Sequence, residues 1–368
     1  MEKITLKFKK NYSCDVVIGY DILSDIKNNI SPFLLSKDVV FITNSLVKQL
    51  YGDQLMSALS SQDIDVKMIE VPDGEQSKSM NIAKKIYDQL LEYKVSRSTT
   101  LITLGGGVIG DLGGFVAATF MRGVPLIHIP TTLLAQIDSS IGGKVAIDHF
   151  MAKNIIGSFY QPMAVLVDTK VLETLPVTHL RNGLVEAIKI SIICSPLFFD
   201  WLGKHIDCIL MKKKECMETI VNQAIKLKRN IVLKDPWEKN ERLYLNLGHS
   251  IGHALETMDG YKSLDHGEAV AIGIILETQI AYHRNICNKE EKVKIENIIQ
   301  KIGIPPKFDS KSLDLEKCWD TILLDKKNKN GVIRFILPES IGKVKIVQPI
   351  LKEDVIHAFN SFLEGQGV

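Results

Sequence analysis

Cysteines at CxxC spacing are missing from this chain. Its six cysteines stand at positions 14, 194, 208, 216, 287 and 318, with no CxxC pair among them. That scatter excludes a zinc ribbon and suits reduced thiols in a cytosolic protein. Charge imbalance is missing too. Against 43 acidic residues stand 45 Lys and Arg, a net charge of +2, so nothing marks the surface for nucleic acid or membrane. No apolar run reaches the length of a membrane span. Met1 to Leu6 alternates like a strand and carries no apolar leader, so a soluble, cytoplasmic protein is expected. Repeats and low-complexity stretches are absent, and Lys326 to Asn330 is the one strongly polar run.

What remains is an ordinary globular composition on an extended chain. Hydrophobic residues make up 45% of the 368, charged residues 24%, enough apolar material to fill about two cores. Ile4, Leu6 and Phe8 alternate with polar residues and, with Val16 to Tyr20, read as an edge hairpin. Val39 to Thr43 is a short continuous apolar run, the mark of a buried parallel strand. A helical pattern follows from Asn44 to about Leu59, then a strand at Val66 to Val71 and an amphipathic helix ending near Tyr93. Further strands read at Thr100 to Leu104, Leu126 to Ile129 and Val165 to Asp168. This alternation argues for a doubly wound, Rossmann-like α/β domain over residues 1–175. Residues 176–368 read as a mainly helical domain. Its helices are expected at Val177–Ser195, Pro196–Met211, Cys216–Leu233, Arg242–Met258, Gly267–Asn285 and Lys289–Ile302. A hairpin at Val332–Leu337 and Val344–Val347 and a closing helix from Lys352 complete it.

The chemistry gathers around Leu245-Asn246-Leu247-Gly248-His249-Ser250-Ile251-Gly252-His253 and Asp265-His266-Gly267-Glu268. A lone histidine is usually a hydrogen-bonded core group, but three in a short span with acidic neighbours point to a divalent cation. His249 and His253 are four apart, so the spacing favours them as the ligand pair on one helix face. Glu186, on the otherwise apolar Gly183 to Lys189 helix, is costly to bury unless paired or metal-bound, and supplies the missing carboxylate. Lys189 follows it by one turn; Lys228 and Arg242 precede the histidines, and Lys326-Lys327 follow them.

Two stretches of the first half suit anionic ligands. Gly105 to Gly110 contains G-x-G-x-x-G at a strand-to-helix turn, where backbone N–H groups can hold a pyrophosphate. It sits at a late strand, and no acidic residue closes the next one, so a glycine-packed helix is an equal reading. Asp73-Gly74-Glu75 favours the dinucleotide, because Glu75 could take ribose hydroxyls. The second stretch, Pro130 to Lys144 and then Lys153-Asn154, brings together hydroxyls, Asp138, a glycine pair and two lysines.

In order, GGGVIGDLGGF, PTTLLAQIDSSIGGK, KNIIGSFYQP, GLVEAIK, LNLGHSIGHALE and DHGEAVA closely resemble the 3-dehydroquinate synthase family, over nearly the whole chain. The resemblance implies an NAD-binding α/β domain, a helical metal-binding domain and a homodimer. It implies a divalent metal, Zn²⁺ or Co²⁺, on Glu186, His249 and His266, which leaves His253 to handle protons beside the metal. NAD contacts implied are Asp73, Gly74, Glu75, Gln76, Ser77, Lys78, Gly107, Val108, Ile109, Gly110, Asp111, Thr131, Thr132, Lys144, Lys153, Val171, Leu172, Glu173 and Thr174. Catalytic roles are implied for Arg122, Asp138, Lys144, Asn154, Lys189 and His253, and substrate binding for Lys228, Arg242, Asn246 and Lys327. Three positions depart from the family's usual pattern: Val145 replaces threonine, Asp148 replaces asparagine, and Pro236 follows Asp235 where an acid is common.

The implied substrate is 3-deoxy-D-arabino-heptulosonate 7-phosphate of the shikimate pathway, whose phosphate and carboxylate need cations such as these. The implied reaction is a transient oxidation by NAD, loss of phosphate, re-reduction and an intramolecular aldol closure. A related cyclase such as 2-deoxy-scyllo-inosose synthase, acting on a substrate without the carboxylate, is the near rival. A metal-dependent polyol dehydrogenase of the glycerol dehydrogenase type is a rival of another class, though a neutral polyol gives these cations nothing to bind. A non-catalytic NAD-binding regulator would have no need of a complete metal triad.

Overall fold

The computed structural model describes residues 13–60, 64–150, 152–259, 264–304, 314–323 and 332–365. Two compact units divide the chain. The first holds the described residues up to Thr131 and Gly142–Asp168; the second holds Thr132–Ile141 and the described residues from Thr169 onward. The division therefore falls seven residues before the sequence boundary at 175, and a ten-residue segment of the first half joins the second unit.

The first unit is built on a six-stranded sheet. Its strands are β1 (Asp15–Gly19), β2 (Asp38–Asn44), β3 (Asp65–Val71), β4 (Thr100–Gly105), β5 (Leu126–Pro130) and β8 (Ala164–Asp168). They lie in the order β1-β8-β5-β4-β2-β3, and every pairing is parallel. Strands β4, β5 and β8 are buried at every residue, as continuous apolar runs covered on both faces must be. Short helices α1 (Ile26–Ile30) and α2 (Ser45–Val47) and helices α3 (Asp53–Ser60), α4 (Met80–Glu92) and α5 (Gly107–Thr119) make the connections. From β2 the chain moves to one side, to β3, and then crosses to the other side, to β4 and β5. The carboxyl ends of β2 and β4 are thus the switch point at which such sheets bind ligands.

One expected hairpin of this unit is only half described, and another was not foreseen. Strand β1 lies at the edge of the described sheet and pairs in parallel with β8; the other arm of the expected hairpin, Ile4 to Phe8, lies outside the described residues. A hairpin, β6 (Lys144–His149) and β7 (Ala152–Phe159), was missed. Its outer strand, AKNIIGSF, has no buried residue and sets two isoleucines side by side, so it lacks the apolar alternation that marks a strand. The hairpin packs through Val145, which fits against Gly114 of α5: a Cβ at Gly114 would lie 2.3 Å from Val145 Cγ1.

The second unit is helical: α6 (Val177–Cys194), α7 (Pro196–Leu210), α8 (Lys214–Lys234), α9 (His249–Met258), α10 (His266–His283), α11 (Lys289–Lys301), α12 (Leu315–Leu323) and α13 (Lys352–Gly365). An antiparallel pair, β9 (Phe335–Ser340) and β10 (Lys343–Val347), completes it. Helices α6 and α10 are buried around nearly their whole circumference along their middle turns, so Glu186, Lys189 and Glu277 on them are inside. The single helix expected over Arg242–Met258 is broken. A 3₁₀ turn covers Glu241–Asn246, and α9 restarts after Gly248, whose φ of 77° is left-handed and suits glycine. The expectation of six free thiols also fails, because Cys208 at the end of α7 and Cys216 at the start of α8 form a disulfide. Their eight-residue spacing carries no CxxC signature; the helical turn between them brings them together.

Candidate active site and metal centre

The first unit gathers one cluster of the expected cofactor residues. The segment after β3 is braced internally: Gln76 donates to Asp73 O at 2.7 Å and the Ser77 hydroxyl to Pro72 O at 2.6 Å. Lys78 is buried, with Nζ 2.9 Å from Asp111 Oδ2 and 3.6 Å from Glu75 Oε1, and it also donates to Asn154 Oδ1. Burial alone would lower its pKa, but Asp111, Glu75 and Asp148 overcome that and raise it, so Lys78 is held as a cation. Lys153 Nζ lies 3.9 Å from Glu75 Oε1, and Asp148 accepts from the Asn154 backbone N–H at 2.7 Å. Asn154, expected as catalytic, is therefore placed on Lys78.

The glycine-rich turn serves both of its readings at once. Gly113 packs against the sheet, where a Cβ would lie 2.4 Å from Thr103 Cγ2. At Gly110, by contrast, a Cβ would meet nothing within 4 Å. Packing does not require glycine there, and the bare first turn of α5 suits a closely approaching pyrophosphate. Ile109 is buried against Gly105, so only its backbone is on offer. Thr131 is buried, its N–H bonded to Gly105 O, while Lys144 and Arg122 are exposed. Thr132 and Val171 to Thr174 belong to the second unit; Val171 and Leu172 are core side chains there.

The second unit assembles the metal centre. Ligand atoms of Glu186, His249 and His266 lie within 4.8 Å of one another. Nε2 of His249 is 3.9 Å, and Nε2 of His266 3.8 Å, from Glu186 Oε1. The other ring nitrogens are occupied: His249 Nδ1 faces Leu247 O at 3.0 Å, and His266 Nδ1 faces Glu256 Oε1 at 3.6 Å. Such outer contacts turn both Nε2 atoms inward. Glu186 Oε1 is buried with no hydrogen-bond donor among the described residues. A buried carboxylate oxygen facing two imidazole nitrogens fits a divalent cation. For His266, burial lowers the pKa, but Glu256 and Glu186 outweigh it and raise it, so the site favours positive charge.

The i, i+4 reading of the ligands is thereby corrected. His253 lies near the centre, its ring centroid 5.3 Å from that of His249 and 6.4 Å from that of His266, but the group whose ligand atoms converge closely enough to hold one ion is Glu186, His249 and His266. Spacing along one helix could not foresee that the start of α10 would bring a histidine to Glu186 on α6.

Beside the metal ligands is a group of cations. Lys189 pairs with Glu186, and Lys228 donates to both Asp138 Oδ1 and Asp138 O at 2.6 Å. Burial would raise the Asp138 carboxyl, but Lys228 and Lys189 hold it well below the usual carboxylate range. Burial, with repulsion from Lys189 and Arg242, lowers Lys228 despite Asp138. Lys189, Lys228 and Arg242 thus stand as three buried cations among the carboxylates of Glu186, Asp138 and Glu238, donors that an anionic ligand can use. Arg242 is buried and donates to Pro236 O at 2.8 Å. Asp235 accepts the backbone N–H groups of Lys239, Asn240 and Arg242, which fixes the loop carrying that arginine. Asn246 donates to Glu238 Oε1 at 3.2 Å. Lys327 lies outside the described residues. Sequence reasoning missed Glu256, Glu238 and the role of Asp235. For Glu256 the signal existed: a glutamate on an apolar helix face, as with Glu186.

Comparison with known proteins follows the same outline. A 3-dehydroquinate synthase from Thermodesulfovibrio yellowstonii is 42% identical over 360 residues, 98% of this chain and 100% of that protein. The structure of 2-epi-5-epi-valiolone synthase from Streptomyces hygroscopicus subsp. jinggangensis 5008, with NAD⁺ and Zn²⁺ bound, superposes with a TM-score of 0.90. It is 25% identical and covers 98% of this chain and 99% of that one. A 2-deoxy-scyllo-inosose synthase structure, complexed with carbaglucose-6-phosphate, NAD⁺ and Co²⁺, shares the fold at a TM-score of 0.86, with 24% identity over 94% of this chain and 96% of its own. The 3-dehydroquinate synthase N-terminal family matches residues 68–182 and the C-terminal family residues 183–328, and with relatives of this similarity along its length the chain belongs to the 3-dehydroquinate synthase family.

Proposed function

We infer that this chain is a 3-dehydroquinate synthase, a phosphorus–oxygen lyase that turns 3-deoxy-D-arabino-heptulosonate 7-phosphate into 3-dehydroquinate and phosphate. The observation that carries this reading is the metal-type triad with three buried cations, Lys189, Lys228 and Arg242, in the same unit of a chain 42% identical to a 3-dehydroquinate synthase. Three buried cations near the triad suit a substrate carrying a phosphate and a carboxylate better than a neutral polyol, which disfavours a simple dehydrogenase.

When bound, a divalent ion on Glu186, His249 and His266 would supply Lewis acidity to a substrate hydroxyl, and NAD a reversible hydride acceptor. Asp73 to Lys78, Gly107 to Asp111, Thr131, Thr132, Lys144, Lys153 and Val171 to Thr174 are the residues proposed to hold the dinucleotide. The chain itself binds and orients the rest. Lys228 and Arg242 take the substrate's anionic groups, with Asp138 keeping Lys228 in place. Lys189, fixed against Glu186, neutralises charge beside the reacting carbon. His253 stands next to the two metal-type histidines and is the group proposed to move a proton. Arg122, Lys144, Asn154, Asn246 and Lys327 complete the proposed contacts. In this reading residues 1–175 serve NAD and residues 176–368 serve metal and substrate. The family resemblance further supports a cytoplasmic homodimer in the shikimate pathway.

The test follows phosphate release and absorbance at 340 nm together, with catalytic NAD and the heptulosonate phosphate. Many phosphates released per NAD with no lasting NADH signal are expected, and the product should be the carboxylated carbocycle. One NADH per turnover would assign the chain to the dehydrogenases; turnover only of sugar phosphates lacking the carboxylate would assign it to the related cyclases.

A further inference from the structure

Glu277 has no part in the chemistry above, yet it is fully buried on α10. Its Oε2 accepts the backbone N–H of Gly248 at 2.6 Å. Gly248 is the N-cap of α9, and no side chain of its own caps that helix. The next residue is His249. A carboxylate at this point satisfies an N–H at the helix start and places negative charge at the positive end of its dipole.

The same junction is tightly packed. A Cβ on Gly273 would lie 1.9 Å from Gly248 O, and a Cβ on Gly248 would lie 2.8 Å from Val270 O. Backbone therefore rests on backbone where α9 begins. Helix α10 also starts with His266. One helix thus carries one metal-type histidine and, three turns later, the carboxylate that seats the other.

We propose that Glu277 is a positioning residue of the metal centre: by holding the Gly248 N–H it sets the start of α9 on α10 and so the place of His249 relative to Glu186 and His266. This rests on the reading of those three residues as a metal site. Backbone placement is the operative property, so an acceptor of the same length serves and a shorter one does not, whatever its charge.

Two variants of the full-length chain separate length from charge. Glu277→Gln keeps the reach and the acceptor oxygen without the charge; Glu277→Asp keeps the charge but is a methylene too short. Each is stripped of metal and titrated with zinc against a chromophoric chelator. E277D is expected to bind zinc 10–100-fold more weakly, as loss of an outer contact does, and E277Q to stay within about threefold of the parent. An E277D affinity equal to the parent's, or a larger loss in E277Q than in E277D, overturns the proposal. Should E277D fail to fold, hydrogen exchange of the parent decides: the Gly248 amide is expected to be protected in the metal-free chain, and fast exchange there overturns the proposal. A parent chain that binds no zinc overturns the metal reading and this one together, whereas a zinc-binding parent with an unaffected E277D overturns this one alone.

Discussion

Removing the Lys228 ammonium tests the cluster of Lys228, Asp138 and Lys189 as a physical unit. Lys228 Nζ lies 2.6 Å from Asp138 Oδ1, and its side chain is 8% exposed against 28% for Asp138. At that distance, with an effective dielectric constant of about 20, the attraction is about 6 kcal/mol. Desolvation of the lysine offsets much of this, and deleting one member of a buried pair typically costs about 3–5 kcal/mol. Water reaches Asp138, and Lys189 still stabilises its charge, so Lys228→Met should cost about 3 kcal/mol, the low end. Asp138→Asn should cost a similar amount, and the double variant little more than either single one. The coupling energy is then about 2–3 kcal/mol. Urea unfolding read by tryptophan fluorescence measures it, because Trp201, Trp237 and Trp319 all belong to the second unit. The pH dependence has a definite sign. The folded Asp138 carboxyl is held below its usual range, so its stabilisation is full above the unfolded carboxylate pKa of about 4 and is lost as pH falls below that. The coupling should be flat from about pH 5 to 7 and shrink below about pH 4. Additive single effects at neutral pH would refute the picture of a charge-coupled cluster.

Replacing His266 with Ala should abolish zinc retention by elemental analysis, whereas His253→Ala should keep its metal and lose turnover; a metal-depleted His253 variant would restore the i, i+4 ligand pair. Arg242→Ala should lower kcat/KM for the heptulosonate phosphate by about 2–5 kcal/mol of transition-state binding, and a change within twofold would remove it from substrate recognition. Thiol titration of the unfolded, unreduced chain should find four free thiols, from Cys14, Cys194, Cys287 and Cys318. Reduction should cost the second unit about 2–3 kcal/mol, the loop-closure value for a bridge of eight residues' separation; six titratable thiols would disprove the bridge.

Several features of this protein were legible in its residues alone. Runs such as Val39–Ile42 and Val165–Val167 are apolar throughout because both faces of a parallel sheet are covered, so they announced β2 and β8 without any partner in view. The long helices of the second half followed from their periodicity for a similar reason: amphipathic patterning is local. Glu186 stood out because a carboxylate on an apolar helix face needs a counter-charge or a metal, wherever the helix goes.

Long-range placement was not legible. Hairpin β6–β7 has no apolar alternation on its outer strand and is held by the fit of Val145 to a glycine of α5, which no local pattern encodes. The break in the helix expected over Arg242–Met258 comes from Gly248 pressed against Gly273 of α10. Cys208 and Cys216 meet because two helices turn back beside each other. The metal ligands show the division most clearly. Sequence spacing could pair His249 only with residues on its own helix, and so with His253. Choosing His266 required α6, α9 and α10 to be packed together, because a coordination sphere is defined by distances in space and not by intervals along the chain.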